Sequence, residues 1–152
     1  MSYRLGLRSM FRLRGVRPEL VAVVERAIGL SDIDFTVLEG LRTPERQAEL
    51  VKSGASWTAH SRHLTGHAVD LAPLMGNKAS WHWPHYYVLA PALILAAREL
   101  NTPIVWGGVW DRLANDLDEH NLAQEVRAYC ARNEGSDPID GPHFQLSRKV
   151  YP

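Results

Sequence analysis

The sequence predicts one domain of the α+β class. Its 152 residues suit a single domain of ordinary size, and its apolar fraction of 45% and charged fraction of 22% are typical of soluble globular proteins. Helical and strand patterns follow one another without the regular strand–helix–strand alternation of a parallel sheet. No internal repeat or low-complexity tract separates two units, so residues 1–152 are treated as one domain.

In the N-terminal half, hydrophobic spacing and capping residues define the elements. Apolar residues recur at helical spacing between Pro18 and Gly29, and the glycine is the expected stop. Phe35–Leu38 is rich in strand-forming residues. Thr43 is an N-cap for a helix over 44–54, because Pro44 suits the first turn and Gly54 follows its last residues. The polar stretch 54–65 is predicted to be a loop.

In the C-terminal half, short apolar runs alternate with two longer helical patterns. Apolar residues share one helical face over 84–100, after Pro84. A second helix is predicted over 116–131, because acidic residues in its first turn complement the helix dipole. Residues 135–142 are predicted to be a loop. Three runs are predicted to be strands: Ala68–Leu71, Pro103–Trp106 and His143–Leu146.

Charge and composition exclude several classes of protein. Seventeen basic residues balance seventeen acidic ones, which argues against a protein built to neutralise nucleic-acid phosphates.

The single cysteine, Cys130, excludes an internal disulfide and is predicted to be a small core residue. The longest apolar run, 88–97, is too short to span a bilayer. Residues 1–17 carry five arginines but no unbroken apolar stretch, so we expect a solvated cationic lead-in rather than a secretory signal or a membrane-active arm.

Two histidine-containing segments are candidates for a metal site. The first runs from His60 to Asp70 and contains three histidines, which alone is weak evidence. The second places Asp140 three residues before His143, across a Gly-Pro turn. A catalytic zinc needs three protein ligands, an open position and a nearby base. His63, Asp70 and His143 could supply the ligands, and Asp140 the base.

These segments resemble the signatures of the LAS-type zinc peptidases. The run Ser61-Arg-His-Leu-Thr-Gly-His-Ala-Val-Asp70 resembles their Ser-x-His-x-x-Gly-x-Ala-x-Asp motif, and Asp140-x-x-His143 resembles their acidic residue-x-x-His motif. Residues 40–50 resemble the segment that carries the family's arginine. The family includes D-alanyl-D-alanine peptidases of vancomycin resistance and L-alanyl-D-glutamate endopeptidases that serve as phage endolysins, and the endolysin branch is the most similar.

The resemblance implies a fold, a cofactor and a set of roles. The fold would be a small, mostly antiparallel central sheet flanked by helices. Zn²⁺ would be bound by His63, Asp70 and His143. Asp140 would be general base and acid, and Arg42 would hold a substrate carboxylate or the developing oxyanion.

The implied reaction is hydrolysis of the L-alanyl-D-glutamate bond in peptidoglycan stem peptides. Two alternatives stay open at this point: a D-alanyl-D-alanine carboxypeptidase or dipeptidase of the same superfamily, and a zinc-binding wall-recognition module without catalysis. A monomer is the default expectation, and the balanced charge and short apolar runs predict no nucleic-acid partner and no stable membrane insertion. It would accumulate in the host bacterial cytoplasm and reach the cell wall after the membrane is permeabilised.

One segment departs from the endolysin pattern. Trp106-Gly-Gly-Val-Trp110 has Val109 where an acidic residue is usual, and residues 111–139 then precede the second motif. We expect this stretch to be an inserted helical segment that covers the cleft or extends the substrate contacts.

Several residues have a second interpretation. Asp137 is a rival to Asp140 for the base, and Arg42 could instead pair with Glu39 or Glu45. His67 is expected beside the site rather than on the metal. Four tryptophans could form a sugar-stacking wall, although packing in the core is favoured: Trp81, Trp83, Trp106 and Trp110. The other histidines are expected at the surface: His60, His82, His85 and His120.

Overall fold

A five-stranded sheet forms the centre of the computed structural model, which describes residues 2–56, 58–134 and 137–152. Met1 and the parts of the predicted loops that fall on Trp57, Gly135 and Ser136 lie outside the described residues. The strands are β1 (Phe35–Glu39), β2 (Ala68–Met75), β3 (Lys78–Ala79), β4 (Ile104–Trp106) and β5 (His143–Leu146). They pair in the order β1-β2-β5-β4, with β3 on β2, and every pair is antiparallel. The predicted α+β class with an antiparallel central sheet is confirmed.

Five α-helices surround this sheet. They are α1 (Leu7–Arg12), α2 (Pro18–Leu30), α3 (Pro44–Lys52), α4 (Trp83–Glu99) and α5 (Leu122–Arg132). Helices α2 and α4 pack on each other and share one hydrophobic core with the sheet, where Leu20, Leu93 and Phe144 are fully buried. Within the described ranges, no helix combines the length and the apolar character needed to cross a bilayer.

The two faces of the sheet have different chemistry. Because successive side chains of a strand point to opposite faces, Phe144 and Leu146 of β5 enter the core, whereas His143 and Gln145 line the opposite side. On β2, Leu71 joins the core, and Asp70 faces the polar side with His143. The sheet therefore carries polar side chains away from its packed core.

Some element boundaries differ from the predictions. Helix α5 begins at Leu122 rather than at 116 because the residues before it hydrogen-bond locally. The Asp118 carboxylate accepts from the backbone N–H of His120 and from the side-chain amide of Asn121, so these residues form turns instead of a helix. Helix α2 continues through Gly29 to Leu30, and β2 extends to Met75, where it pairs with β3.

Two further expectations were wrong. Residues 1–17 were predicted to be a solvated cationic lead-in, and Arg4, Arg8 and Arg14 are exposed, but residues 7–12 form α1, and Ser9 and Leu13 are buried against the rest of the fold. Cys130 was predicted to be a core residue and is exposed, because Val126 and Tyr129 take the inward-facing positions of α5.

Candidate active site

The polar face of the sheet forms the floor of a cleft of about 1080 Å³. Its walls come from the segment after β1, the loop before β2, residues 110–116 and the chain around 137–143. All five residues predicted to act in catalysis or metal binding line this cleft: Arg42, His63, Asp70, Asp140 and His143.

Sheet register and a short 3₁₀ turn bring the three histidine and aspartate side chains together. Asp70 of β2 lies directly opposite His143 of β5, so their side chains are cross-strand neighbours. His63 lies in the 3₁₀ turn Arg62–Thr65, whose first residues are capped by the Ser61 hydroxyl. Gly66 ends this turn with φ of +73°, and a Cβ there would lie 2.4 Å from the Gly15 carbonyl oxygen. This confirms the backbone requirement for glycine before β2.

Hydrogen bonds behind each imidazole determine which ring nitrogen faces the cluster. The Gly40 carbonyl oxygen, 2.9 Å from His63 Nδ1, can only accept, so Nδ1 donates and the neutral ring keeps its lone pair on Nε2. His143 Nε2 lies 2.8 Å from Gln145 Oε1 and donates to it, which leaves the lone pair of His143 on Nδ1.

Three atoms with lone pairs therefore face one another. His63 Nε2 lies 3.2 Å and His143 Nδ1 lies 3.5 Å from the same oxygen, Asp70 Oδ1. Within the part of the chain that the structure describes, His63 Nε2 and Asp70 Oδ1 are buried without a hydrogen-bond partner. Buried acceptors facing acceptors are unfavourable unless a proton or a cation lies between them.

The same contacts shift the pKa values of the cluster. Burial disfavours the charged form of Asp70, but its contacts with His143 and His63 outweigh burial and lower its pKa. Burial likewise lowers the pKa of His143, but the Asp70 carboxylate, the hydrogen bond with Gln145 and the Asp140 charge together outweigh burial, so the net shift is upward. A proton therefore competes with a metal ion for the Nδ1 lone pair of His143.

The donor set fits a metal ion. One ligand atom from each of His63, Asp70 and His143 lies within 4.8 Å of the other two, and these residues form one group that could hold a metal. Two imidazole nitrogens and a carboxylate oxygen are among the donors that catalytic zinc sites use. His67 is not in the group and does not line the cleft: its Nδ1 lies 2.6 Å from the Thr65 hydroxyl.

Arg42 is held in a network at the edge of the cluster. Its guanidinium makes two bonds of 2.8 Å to Glu39, one of 2.6 Å to Gln47 and a contact of 3.5 Å to Asp70 Oδ2. A bulge in β1 places Glu39 opposite Asp70, which brings this network to the site. The salt bridge with Glu39, the alternative interpretation, is therefore present. Direct contact of Arg42 with substrate stays a prediction.

The turn that carries Asp140 is fixed by the segment 106–110. The backbone N–H of Asp140 donates to the Gly107 carbonyl at 2.8 Å, and the Gly107 N–H donates to the carbonyl of His143 at 2.8 Å. The indole N–H of Trp106 donates to Gly141 O at 2.7 Å, and that of Trp110 to Pro138 O at 2.9 Å. A Cβ at Gly107 would lie 2.1 Å from Asp140 O, so only glycine fits there.

The carboxyl group of Asp140 is perturbed by its surroundings although the residue is exposed at the cleft. Desolvation raises its pKa, and the nearby Asp70 carboxylate raises it further, against the opposing effect of His143, His63 and Arg42. Burial, together with the charges of Asp140 and Asp70, raises the pKa of Tyr86 to about 12. A raised carboxyl pKa in a cleft is a common feature of general acid–base groups.

The tryptophans divide between core and cleft. Trp106 is fully buried and stacks on Phe144, and Trp83 packs against Trp106, as the core interpretation expected. The Trp110 ring lies 4.9 Å from the His143 ring, and Trp81 is exposed at the cleft. The four rings do not form one common wall.

Sequence reasoning missed the supporting residues of the site. Gln145 follows His143 by two positions on a strand, so period-two alternation could have placed it beside the imidazole. The role of Gly107 had no local signal, because the backbone it approaches is more than thirty residues away. Arg62 is also buried, and its guanidinium donates to the carbonyl oxygens of Leu146 and Tyr151.

Comparison with known proteins identifies the class to which this fold and cleft belong. A family model for phage L-alanyl-D-glutamate peptidases matches residues 1–146. The chain belongs to this family of peptidases.

Individual relatives agree with this assignment. The L-alanyl-D-glutamate peptidase of Escherichia phage T5 is 33% identical over 123 residues, covering 78% of this chain and 90% of that protein. The L-alanyl-D-glutamate peptidase of Listeria phage A118 is 35% identical over 119 residues, and the match covers 78% of this chain but only 32% of that longer protein. The crystal structure of the Serratia marcescens L-Ala D-Glu endopeptidase ChiX matches with a TM-score of 0.77 and 39% identity, covering 99% of this chain and 95% of that one.

Proposed function

We propose that this protein is a zinc-dependent endopeptidase that hydrolyses the L-alanyl-D-glutamate bond of peptidoglycan stem peptides. One observation carries the proposal: lone pairs of His63, Asp70 and His143 converge at the floor of a cleft that Asp140 also lines. The names of the phage relatives and of the Serratia endopeptidase support the choice of bond.

The proposed metal ligands are His63 Nε2, Asp70 and His143 Nδ1. The backbone carbonyl behind His63 and the amide oxygen behind His143 hold both rings in the tautomer that suits this role. Bound zinc would supply Lewis acidity, which lowers the pKa of a coordinated water to about 7 and polarises a carbonyl.

Asp140 is the proposed general base and acid. Its carboxylate would accept the proton of the attacking water as the oxygen adds to the alanyl carbonyl, and it would return that proton to the departing amine of glutamate. The raised pKa of Asp140 favours this exchange, because a carboxyl group that holds a proton more readily is also able to deliver it. Arg42 would stabilise the developing negative charge, either directly or by fixing Asp70 and Glu39.

Positive charge in the lining of the cleft supports an acidic substrate. A glutamate that follows the scissile bond has two carboxyl groups, and only one continues the peptide, so the other is free. Arg148 and Lys149 line the cleft close to Arg62, whose pKa burial lowers and the Arg148 charge lowers further. In the described part of the chain, neither Arg148 nor Lys149 forms an ion pair, so these two cations are available to an anionic peptide. Arg62 is buried and its guanidinium is bound to backbone carbonyls.

We propose one peptidase domain over 1–152, in which residues 111–139 are an inserted segment that extends the cleft wall. The protein would act as a monomer on the cell wall, after accumulation in the host cytoplasm and permeabilisation of the membrane.

The test is digestion of a defined stem peptide by the wild type and by a pair of matched variants. Mass spectrometry should show a new free amine on D-glutamate, with activity lost in EDTA and restored by zinc. Asp140→Asn should lower kcat/KM by roughly 10²–10⁴ while zinc content stays at the wild-type level. Asp137→Asn, the control at the rival carboxylate, should remain close to wild type.

Other outcomes would contradict specific parts of the proposal. Released D-alanine would indicate the carboxypeptidase alternative, and peptide binding without cleavage in any metal state would indicate a recognition module. Full activity of Asp140→Asn would exclude that residue as the base. His63→Ala should lose both stoichiometric zinc and activity, and an active His63→Ala protein would exclude the proposed metal site.

A further inference from the structure

The N-terminal helix presents large apolar side chains to solvent. Leu7, Met10 and Phe11 are 86%, 55% and 65% exposed. Their spacing of i, i+3 and i+4 puts them on one face of α1. Exposed apolar residues are ordinary when scattered, but three large ones on one face indicate an interaction surface.

The opposite face of α1 fixes this orientation. The Ser9 hydroxyl lies 3.1 Å from the Thr36 hydroxyl and accepts from the backbone N–H of Val37 at 2.9 Å. The Arg12 guanidinium donates to the Val37 carbonyl at 2.9 Å. Because β1 holds α1 through polar contacts, the three apolar side chains cannot turn inward without breaking these bonds.

The surroundings of these side chains are strongly cationic. Five of the 17 basic residues and none of the 17 acidic ones precede Glu19, so the rest of the chain carries a net negative charge. Arg4, Arg8 and Arg14 are exposed, and the Arg14 guanidinium lies 5.0 Å from the centre of the Phe11 ring. Among the residues that the structure describes, none of these three arginines forms an ion pair.

We propose that the N-terminal patch, formed by Leu7, Met10 and Phe11 with Arg4, Arg8 and Arg14, binds the surface of an anionic phospholipid bilayer. Arginines attract acidic headgroups, and apolar side chains on the same short element enter the boundary between headgroups and acyl chains. A soluble polyanion would use the arginines but gain nothing from the exposed leucine, methionine and phenylalanine. The combination therefore favours a lipid surface.

The patch is connected rigidly to the candidate active site. Arg12 O lies 2.3 Å from where a Cβ of Gly40 would be, and Gly15 O lies 2.4 Å from the corresponding position at Gly66. Gly40 accepts the hydrogen bond of His63, and Gly66 ends the turn that carries His63. A molecule docked through the patch would therefore hold its cleft at a fixed distance from the bilayer, whatever reaction the cleft performs.

Co-sedimentation of the full chain with large unilamellar vesicles tests the proposal. We expect binding to vesicles that contain phosphatidylglycerol and little binding to phosphatidylcholine alone. Arg4→Gln/Arg8→Gln/Arg14→Gln should weaken binding roughly fivefold per arginine, on the order of a hundredfold in total. Leu7→Ser/Met10→Ser/Phe11→Ser should also weaken it, by about tenfold or more. The control Met75→Ser/Val88→Ser/Leu95→Ser, which removes three exposed apolar groups elsewhere (48%, 41% and 41% exposed), should bind like the wild type.

Three results would overturn the proposal. The first is equal binding of the wild type and the apolar triple variant to anionic vesicles. The second is binding to soluble polyphosphate that matches vesicle binding, which would identify a polyanion site. The third is a wild-type dimer that the apolar triple variant abolishes in gel filtration, which would identify the patch as a contact between two copies. Hydrolysis of a soluble stem peptide should be the same for all these proteins, so failure here is separable from failure of the proposed reaction.

Discussion

The candidate metal cluster and the turn that carries Asp140 lie side by side in the cleft but are built differently. His143 and Asp70 are adjacent residues on paired strands, and His63 is anchored to the backbone at Gly40. Asp140 lies outside any strand or helix. Its turn is held by hydrogen bonds to Trp106, Gly107 and Trp110.

The sheet therefore positions the proposed metal ligands, and the turn separately positions the proposed base. The cluster depends on strand register and buried polar contacts, so it is coupled to the stability of the whole sheet. The turn depends on a few specific contacts with residues 106–110, so it can be displaced while the sheet stays folded. Variants should therefore divide into those that lose metal and those that lose catalysis with the metal retained.

The largest effect is expected from displacing the turn. Gly107→Ala would place a Cβ 2.1 Å from Asp140 O, so the turn must move. We expect kcat/KM to fall by about 10²-fold or more, because a misplacement of about 1 Å is enough for such a loss. Zinc content, measured by mass spectrometry or a chromogenic chelator, should be unchanged.

A glycine in helix α2 provides the control for this substitution. A Cβ at Gly29 meets no atom within 4 Å, so Gly29→Ala should keep full activity and gain up to about 1 kcal/mol in stability. If Gly107→Ala were as active as Gly29→Ala, the turn would not depend on the close approach of these two backbones.

At Gln145 we expect a smaller effect, on zinc affinity rather than on activity. Gln145→Leu removes the acceptor for His143 Nε2 and leaves the turn intact. Loss of such an outer partner typically weakens metal binding by about 10–100-fold. The zinc dissociation constant should rise by that factor in a competition titration, while activity at saturating zinc stays near the wild-type value. Gln124→Leu, on the exposed side of α5, is the control. Unchanged zinc affinity in Gln145→Leu would contradict the assigned tautomer of His143.

Trp110 contacts both regions, so its variants should affect both activity and zinc affinity. Trp110→Phe removes the bond to Pro138 O but keeps a ring beside His143. One lost hydrogen bond corresponds to about 0.5–1.5 kcal/mol, so we expect a loss of about 2–10-fold in kcat/KM with normal zinc affinity. Trp110→Ala also removes the ring and should weaken zinc binding. Equal zinc affinities in the two variants would show that the ring does not support His143.

The smallest effect concerns pH and a salt bridge in the segment 111–139. Hydrogen bonds from Arg132 lower the pKa of Asp111 from 3.8 to about 2. Because the folded-state pKa lies below the ordinary value, the ionised pair stabilises the protein above about pH 4, and this contribution is lost as the pH falls towards about 2.

Arg132→Gln should therefore lower Tm slightly at pH 7, and the difference from the wild type should shrink between about pH 4 and pH 2. Asp111→Asn should show the same pattern, because it removes the other half of the pair. A constant difference in Tm across this pH range would show that the carboxylate of Asp111 does not contribute in this way.

The sequence allowed most of the fold to be predicted where local chemistry decides it. Helical spacing after Pro18, the Thr43 cap and the short strand His143–Leu146 all correspond to observed elements. Prediction was wrong where side chains compete with the backbone, as Asp118 does ahead of α5, or where burial by distant residues orders a segment, as in α1.

The site shows the same division. The motif spacing predicted the residues that the structure brings into one cleft, and the metal-ligand and base roles stay predictions for the experiments above. The pairing of Arg42 with Glu39 was open from the sequence, but its position next to Asp70 needed the bulge in β1, which brings Glu39 opposite Asp70. No local pattern signals that bulge.

The sequence by itself determined the chemistry available to this protein: its donor atoms, the glycine before β2, the family motifs and the excess of arginine near the N-terminus. Only the tertiary structure decided which lone pairs face one another, how the Asp140 turn is held, and that Leu7 and Phe11 point into solvent. The physical reason is the distance along the chain over which each interaction acts. Propensity, capping and charge act over a few residues, whereas strand register, backbone contacts and burial depend on parts of the chain that meet only after folding.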